Sequence, residues 1–282
     1  TLYNYSQIEA SAQRLLPIFL TPAEKDDIRG ESRGGIIKGD LVFKNVSFSY
    51  GPHAPSILEN INLVIKQGEI VAVLGENGSG KSTLAALMNG SRIATEGSIQ
   101  IGEQDILNIS PHDLRKTVGV VPQESRLFKG TIFDNIVMGD VTATHEKVSA
   151  AIFAADAHDL IDRLPKGLDT HIGAGGLGIS AGQSQKIILA RLIFHGPSIF
   201  VLDESMSNLD PISQEQVINR FFSSVKGKTV IVITQHVGLL SRANKVILIQ
   251  NRSIVALGAH QELIRNNRRY FDFFSRQLAA NS

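Results

Sequence analysis

One glycine-rich segment constrains this chain more than any other feature of its sequence. Residues 75–82 read Gly-Glu-Asn-Gly-Ser-Gly-Lys-Ser and directly follow an apolar run at 70–74. They fit the pattern G-x-x-x-x-G-K-[ST], in which a loop between a strand and a helix wraps phosphate groups. Glycines are needed because only residues without Cβ let successive backbone N–H groups turn inward, and the following helix adds its positive dipole end. The segment predicts a nucleotide site.

The residues of this predicted phosphate loop divide into a backbone cradle and two side chains with separate tasks. Lys81 is expected to reach the β- and γ-phosphates, and the hydroxyl of Ser82 is expected to ligate Mg²⁺. The candidate nucleotide-binding residues are Gly75, Glu76, Asn77, Gly78, Ser79, Gly80, Lys81, Ser82 and Thr83.

Composition excludes several classes of function. The 282 residues carry a formal net charge of +1, so there is no global basic field and no nucleic-acid partner is expected. The absence of cysteine excludes disulfides, cysteine zinc sites and thiol nucleophiles. No apolar run approaches the roughly 20 residues that cross a bilayer. Because the sequence begins at Thr1 without methionine, we expect a fragment of a longer chain.

Hydrophobic patterning predicts an α/β fold. Alternating residues at 41–50 and 61–65 indicate half-buried antiparallel strands, whereas the continuous apolar runs at 70–74, 198–203 and 229–234 indicate buried parallel strands. A final hairpin is predicted from 245–250 and 253–257. Helices are predicted at 83–90, 112–116, 145–163, 181–194 with Ser180 as N-cap, and 261–278. The fold class is a P-loop NTPase core with a mostly parallel sheet, an antiparallel β subdomain and an inserted α-helical subdomain at about 125–195.

Polar side chains follow two of the predicted buried strands. Asp203 and Glu204 end one strand, where Asp203 is expected to hold Mg²⁺ and Glu204 to act as general base on the attacking water. His236 follows the other strand, at the edge where open α/β sheets bind ligands, and is expected to reach the γ-phosphate.

These and several further motifs resemble the ATP-binding domain of exporter-type ABC transporters over about residues 39–278. The resemblance is carried by Val-Pro-Gln-Glu at 121–124, the stretch 128–136, Ser-Asn-Leu-Asp at 207–210 and Thr-Gln-His at 234–236. Residues 1–22 resemble the end of the last transmembrane helix and its connection to the ATPase domain. Residues 23–38 are predicted to be a linker.

The resemblance implies roles for residues that the spacing alone does not assign. Tyr50 would stack on adenine, and Gln123 would sense Mg²⁺ and the attacking water. The signature residues Ser180, Gly182 and Gln183 would face the nucleotide bound by a second ATPase domain. Asp210 lies in the loop that would communicate between the two domains, and it is also a candidate nucleotide-binding residue. The implied ligands are ATP and Mg²⁺. The implied partners are a second ABC ATPase domain and a transmembrane domain on the same full-length chain, with this domain on the cytoplasmic face of a cell membrane.

Two segments depart from the family pattern. The signature Leu-Ser-Gly-Gly-Gln reads Ile-Ser-Ala-Gly-Gln at 179–183, and the methyl group of Ala181 is expected to weaken the close approach without abolishing it. The segment 172–176 lacks the glutamate and arginine of many exporters, so different contacts with the membrane domain are expected.

Other interpretations remain open at this point. Residues 178–182 also match the G-x-S-x-G elbow of α/β-hydrolases, which would make Ser180 a nucleophile, but no strand is predicted before it. Residues 173–178 match a dinucleotide pattern without the required βαβ unit. An ABC-type ATPase of DNA repair or translation, or the regulatory half of a heterodimeric transporter, are the remaining alternatives.

Overall fold

The computed structural model describes residues 9, 12–17, 19–20, 35–173, 178–234 and 237–280. Residues 12–17 are helical. The linker predicted at 23–38 and the dinucleotide pattern at 173–178 fall largely outside these ranges, as does His236.

Two sheets form the centre of the fold. The first is antiparallel, in the order β2–β1–β4–β5, and its strands are β1 (Leu41–Ser49), β2 (Ser56–Ile65), β4 (Glu96–Ile101) and β5 (Gln104–Asp105). The second has the order β12–β11–β3–β10–β9–β6, and its strands are β3 (Ile70–Gly75), β6 (Val118–Val121), β9 (Ile199–Asp203), β10 (Thr229–Ile233), β11 (Lys245–Gln250) and β12 (Ser253–Gly258). All its pairs are parallel except β11 with β12. The predicted fold class is confirmed.

Helices flank the second sheet and form the inserted region. They are α1 (Lys81–Met88), α2 (Pro111–Thr117), α3 (Ile132–Val137), α4 (His145–Ala154), α5 (His158–Asp162), α6 (Ala181–His195), α7 (Pro211–Ser224), α8 (His260–Asn266) and α9 (Arg268–Ala280). Two short strands, β7 (Gly130–Thr131) and β8 (His171–Ile172), pair within the inserted region.

Both faces of the second sheet are buried, as its continuous apolar strands predict. Along β9, Val201 joins the core formed with the antiparallel sheet and α1, whereas Phe200 and Leu202 join the core formed with α6 and α7. A third cluster covers the β3 and β11 edge, with Tyr270 and Phe273 of α9 buried against it. The sheet is therefore held rigidly from both sides, which fixes the positions of the strand ends.

Several element predictions were wrong in detail. The helix predicted at 145–163 is two helices, because Asp156 adopts the left-handed conformation (φ 57°) between α4 and α5. The closing helix is divided at Asn267, whose extended backbone (φ −124°) ends α8. The first sheet's β2 begins at Ser56 instead of residue 61. Elements that were not predicted are β4, β6, α3 and α7, together with the two-residue strands β5, β7 and β8.

These misses share a physical cause. Strands β4 and β6 are short, and each contains a glycine that weakens the apolar pattern. Helix α7 has few apolar residues, and its burial is confined to one stripe that includes Val217 and Phe221. Tertiary packing determines such elements more than local preference does.

Truncation of Phe221 tests how strongly this packing holds α7. Phe221 is 0% exposed and lies edge-on to Phe200, with ring centroids 5.7 Å apart. We expect Phe221→Ala to lower the free energy of unfolding by about 3–5 kcal/mol in urea denaturation. As a control, Phe271→Ala removes a ring that is 48% exposed on α9, and we expect a loss below about 1 kcal/mol. Equal losses would contradict this account of the core.

Candidate nucleotide-binding site

The predicted phosphate loop joins β3 to α1 with a backbone that only glycine tolerates. Gly78 (φ 78°) and Gly80 (φ 100°) are left-handed. A Cβ on Gly80 would lie 2.7 Å from Leu58 Cδ2, and one on Gly75 would collide with the Ser79 hydroxyl and the Ile249 carbonyl. The loop can therefore adopt this backbone only because these positions are glycines, as the sequence predicts.

The amino end of α1 differs from those of four other helices, although α5 and α8 also begin without a side-chain cap. Helices α2, α3, α6 and α7 are capped by side chains, those of Ser110, Thr131, Ser180 and Asp210. The N-cap of α1 is Gly80, which has no side chain, and no described side chain caps it. The N–H groups of its first turn and the positive end of its dipole are therefore available to an anion.

Lys81 is buried beside this turn. The residue is only 6% exposed. Its ammonium group donates hydrogen bonds to the carbonyls of Gly75 and Glu76, each at 2.9 Å. Burial lowers the pKa of Lys81, and the nearby carboxylates of Glu204 and Asp203 act in the opposite direction. The ammonium is bonded to loop carbonyls and has no directly bound carboxylate among its described hydrogen bonds, so a phosphate would gain a strong partner here.

Asp203 and Ser82 come together as predicted. Asp203 ends β9 and is 3% exposed, and it accepts a hydrogen bond from the Ser82 hydroxyl. Burial raises the pKa of Asp203, while that hydrogen bond and Lys81 lower it. A carboxylate and a hydroxyl at this position are ligands suited to Mg²⁺, which usually takes one or two protein oxygens together with phosphates and water. No cluster of three or more His, Asp or Glu suited to a metal occurs in the described part of the chain.

Glu204 and Gln123 also come together. The Gln123 side-chain amide donates to Glu204 Oε2 at 3.1 Å, although the residues are far apart in sequence. Glu204 is left-handed (φ 45°), a conformation that costs energy for a residue with a side chain and that clusters at functional sites. Its backbone N–H is fixed by the Ile233 carbonyl at 2.9 Å. The strained residue at the end of β9 therefore carries the carboxylate that meets Gln123.

Sheet register explains why these groups meet. Leu202 of β9 lies beside Val121 of β6, and Asp203 lies beside Ile233 of β10. Gly75 pairs with Ile249 of β11 in the same sheet. The carboxyl ends of the parallel strands therefore share one edge, where ligands of open α/β sheets bind. Thr234 lies at this edge, two positions before His236.

Tyr50 lies beside α1, and its stacking on a base stays a prediction. Its ring is 59% exposed, and its hydroxyl lies 3.2 Å from Thr83 Oγ1 of α1. Phe48 contacts the ring edge-on, and the Arg92 guanidinium lies 5.4 Å from its centroid. The ring is therefore fixed beside the phosphate loop while one large part of it remains exposed.

The signature residues do not contact the phosphate loop. Ser180 is the N-cap of α6, as predicted, and its hydroxyl accepts from Gln183 N at 3.2 Å while Gln183 Oε1 accepts from Ser180 N at 3.0 Å. Asp210 caps α7 through Ser213 N at 3.0 Å, and hydrogen bonds from the Ser213 side chain and backbone lower the pKa of Asp210. These side chains are engaged at the starts of their own helices. The exposed methyl of Ala181 and Gln123 both line a cleft of about 470 Å³.

The esterase interpretation has no structural support. Residues 178–180 form no strand, and Ser180 begins a helix through a side chain that is already occupied in the cap. A nucleophile elbow requires a strand immediately before the serine.

Asn135 is a buried residue that the sequence analysis did not single out. Its side chain bonds both the N–H and the carbonyl of Phe128, at 2.7 and 2.9 Å. Arg191 of α6 donates to the Asn135 carbonyl at 2.6 Å and lies over the Phe128 ring. The loop after Gln123 is thereby attached to α6. In the sequence, the only sign of this role is one asparagine among the apolar residues Ile132, Phe133, Ile136 and Val137. That sign becomes informative only when α3 is known to be a helix that buries Asn135.

The comparisons with known proteins fit this geometry. A family model described as ABC transporter matches residues 58–207, which include the phosphate loop, Gln123, the signature and Glu204. The chain belongs to the ABC transporter family. Its fold is that of the family's ATP-binding domain, so this region binds nucleotide.

Several known proteins are similar to this chain over most of its length. The leukotoxin translocation ATP-binding proteins LktB of Mannheimia haemolytica and Bibersteinia trehalosi are each 36% identical over 278 residues, covering 99% of this chain and 39% of the relative. A solved bacterial Atm1-family ABC exporter with ATP bound matches with a TM-score of 0.85 and 30% identity, covering 94% of this chain and 47% of that chain. This ABC chain therefore spans less than half the length of these relatives.

Replacement of Lys81 separates nucleotide binding from folding. We expect Lys81→Met to weaken binding of a fluorescent ATP analogue at least about tenfold, because a charge-assisted contact with phosphate is lost. The free energy of unfolding should change by less than about 1 kcal/mol, since removing a buried charge offsets the lost hydrogen bonds.

Lys245 provides the matched control. Its ammonium lies 2.7 Å from Glu69 at the opposite end of the strands, and its side chain is 20% exposed. Lys245→Met should lower the free energy of unfolding by about 1–3 kcal/mol and leave nucleotide affinity unchanged. Retention of tight binding by the Lys81 variant would contradict its assigned role.

Proposed function

We propose that this chain is the ATP-binding and ATP-hydrolysing motor domain of an ABC exporter. The observation that carries the proposal is the convergence of the uncapped α1, buried Lys81, and the acid pair Asp203 and Glu204 at one edge of the parallel sheet. Phosphoryl transfer to water needs a cradle, a metal site and a group that orients water, and the residues at this edge are of the chemical types that each task requires.

Binding would begin at the loop. The amides of the first turn of α1 and the Lys81 ammonium would hold the phosphates, and Tyr50 would stack on the base. Ser82 and Asp203 would hold Mg²⁺, which would neutralise charge on the β- and γ-phosphates. Because burial raises the pKa of Asp203, binding a cation there would favour its ionised form.

Glu204 would accept the proton of the attacking water, with Gln123 and His236 completing the site. The Gln123 amide donates to Glu204 Oε2 at 3.1 Å. Because a carboxylate has two oxygens with several acceptor positions, Glu204 could keep this contact while it accepts from the attacking water. Strand β10 leads to His236, whose imidazole would be a further hydrogen-bond donor to the γ-phosphate.

A second ABC ATPase domain would complete each site. Ser180, Gly182, Gln183 and Asp210 lie at the exposed starts of α6 and α7, away from this chain's own phosphate loop. An α-helix start facing the γ-phosphate of another domain would stabilise its charge. Two domains arranged head to tail would thus bury two Mg-ATP, hydrolyse them and reopen.

The membrane partner is proposed from exposed apolar residues and from the relatives. No helix in the described ranges has both the length and the apolar character of a membrane span. In the segment 1–22, proposed as the end of the last transmembrane helix and its connection, four apolar side chains are 51–81% exposed, those of Leu15, Leu16, Phe19 and Leu20. Phe128 is also 57% exposed beside the cleft. We propose that a transmembrane domain on the same full-length chain covers these groups at the cytoplasmic face of a membrane, with 23–38 as linker and 39–278 as the ATPase domain.

Removal of the Glu204 charge tests the motor assignment. Glu204→Gln should bind ATP and form an ATP-dependent dimer in size-exclusion chromatography, while hydrolysis falls at least about 100-fold, because general-base assistance is lost. The exposed Glu215→Gln on α7 is the control and should hydrolyse ATP at the unmodified rate. Unchanged hydrolysis in the Glu204 variant would overturn its role.

A further inference from the structure

Asp156 is a buried acidic residue that the nucleotide chemistry does not use. It lies between α4 and α5 in the left-handed conformation that Asp tolerates, and it is 8% exposed. A buried carboxylate is retained only where it is paired and hydrogen-bonded. Its partners therefore indicate what the residue holds in place.

Two cations from two different helices bind the Asp156 carboxylate. Lys186 Nζ of α6 lies 2.7 Å from Oδ2, and Arg220 Nε of α7 lies 3.2 Å from Oδ1. The Lys186 and Arg220 side chains are 18% and 33% exposed, so solvent screens these pairs less than ordinary surface pairs. We call these three residues the Asp156 cluster.

Arg220 is held in one orientation by further contacts. Its guanidinium stacks 4.3 Å from the centroid of Phe153 on α4, and its Nη1 lies 3.4 Å from His158 Nδ1 on α5. The cluster therefore fixes α7 against the α4–α5 turn as well as against α6. A guanidinium held by a carboxylate and an aromatic face has little freedom to exchange partners.

The two helices joined by the Asp156 cluster are those that begin at the signature and at Asp210. Lys186 is six positions after Ser180, about 9 Å along α6, and Arg220 is ten positions after Asp210, about 15 Å along α7. Displacement of one helix at the cluster would therefore shift its amino end.

A second attachment joins the same two segments near their starts. Gln185, a buried residue of α6, accepts a hydrogen bond from Asn208 N at 3.2 Å. A Cβ on Gly182 would lie 3.0 Å from the Asn208 carbonyl, so the two backbones are in close approach. Two attachments along the helices restrict their relative rotation more than either does alone.

We propose that Asp156 is a positioning residue that holds the amino ends of α6 and α7 as one unit. The functional consequence rests on the proposed head-to-tail dimer. In that dimer, this unit is presented to the nucleotide of the partner domain. The Asp156 cluster of one domain therefore governs hydrolysis in the site whose phosphate loop belongs to the other.

Asp156→Asn is the informative substitution. Asparagine keeps the side-chain shape and tolerates the left-handed backbone, but it leaves Lys186 and Arg220 without their shared negative charge. The matched control is Glu69→Gln, which removes the charge from a carboxylate 2.7 Å from Lys245 Nζ, 19% exposed. Glu69 precedes β3, at the opposite edge of the sheet from the amino ends of α6 and α7. Both variants should lose some stability, so stability alone does not distinguish them.

The first measurement needs neither a dimer nor hydrolysis. Because the chain has no cysteine, spin labels can be placed at His195→Cys, the last residue of α6, and at Glu215→Cys near the start of α7, both exposed positions. We expect Asp156→Asn to broaden the distance distribution between the labels, and Glu69→Gln to leave it unchanged. An unchanged distribution in the Asp156 variant would overturn the proposal.

The second measurement assigns the effect to one of the two sites in mixed dimers. In the first arrangement, one subunit carries Asp156→Asn with Glu204→Gln, and the active site belongs to the unmodified subunit. In the second, Asp156→Asn is in one subunit and Glu204→Gln in the other, so the active site belongs to the Asp156 variant. The reference is a dimer with Glu204→Gln in one subunit alone.

We expect kcat to fall at least about fivefold in the first arrangement and to match the reference in the second. A fluorescent ATP analogue should bind both monomers equally. Equal losses in both arrangements, a loss only in the second, or no loss would each overturn the proposed trans effect. Absence of hydrolysis in the unmodified chain would instead refute the proposed motor function, and the spin-label measurement would still decide whether Asp156 holds the helices.

Discussion

The site depends on the chain's change of direction between β3 and α1. The strand ends inside the core, and the helix must begin within a few residues without a side chain to cap it. Left-handed Gly78 and Gly80 make this turn possible, and Leu58 and Ile249 leave no room for side chains at Gly80 and Gly75. The result is a helix start whose N–H groups and dipole face outward. A phosphate chain supplies the negative charge that this turn lacks.

Everything else at the site is positioned by the parallel sheet. Its register aligns the carboxyl ends of β6, β9, β10 and β3 at one edge, so Gln123 after β6 and the acid pair Asp203 and Glu204 after β9 lie at the same edge as the loop. The two acids then serve different purposes because their surroundings differ. Asp203 is buried against Ser82 and Lys81, whereas Glu204 turns out of the strand on a strained backbone and meets Gln123. Burial from both faces keeps these strand ends in place.

The sequence predicted the features that local chemistry determines. Glycine spacing identified the loop, continuous apolar runs identified the buried strands, and Ser180 was correctly placed as an N-cap. It did not predict β4, β6, α3 or α7, because packing against distant residues stabilises them more than their own composition does. The sequence also could not predict the long-range contacts of Asp156 with Arg220 and of Asn208 with Gln185, because these residues are far apart along the chain. Resemblance to ABC exporters supplied the roles of Tyr50 and Gln123, and the structure adds the contacts that orient them.

The most direct test follows the backbone amides of the loop by ¹H–¹⁵N NMR during titration with tripolyphosphate, which has neither base nor ribose. The account predicts saturable shifts that are largest for the amides of Gly78, Gly80, Lys81 and Ser82. When Mg-ATP competes for the same site, these shifts should be replaced by those of the Mg-ATP complex. Adenosine alone should leave these four resonances in place. Shifts induced by adenosine but not by tripolyphosphate would contradict the claim that the loop's N–H groups hold the phosphates.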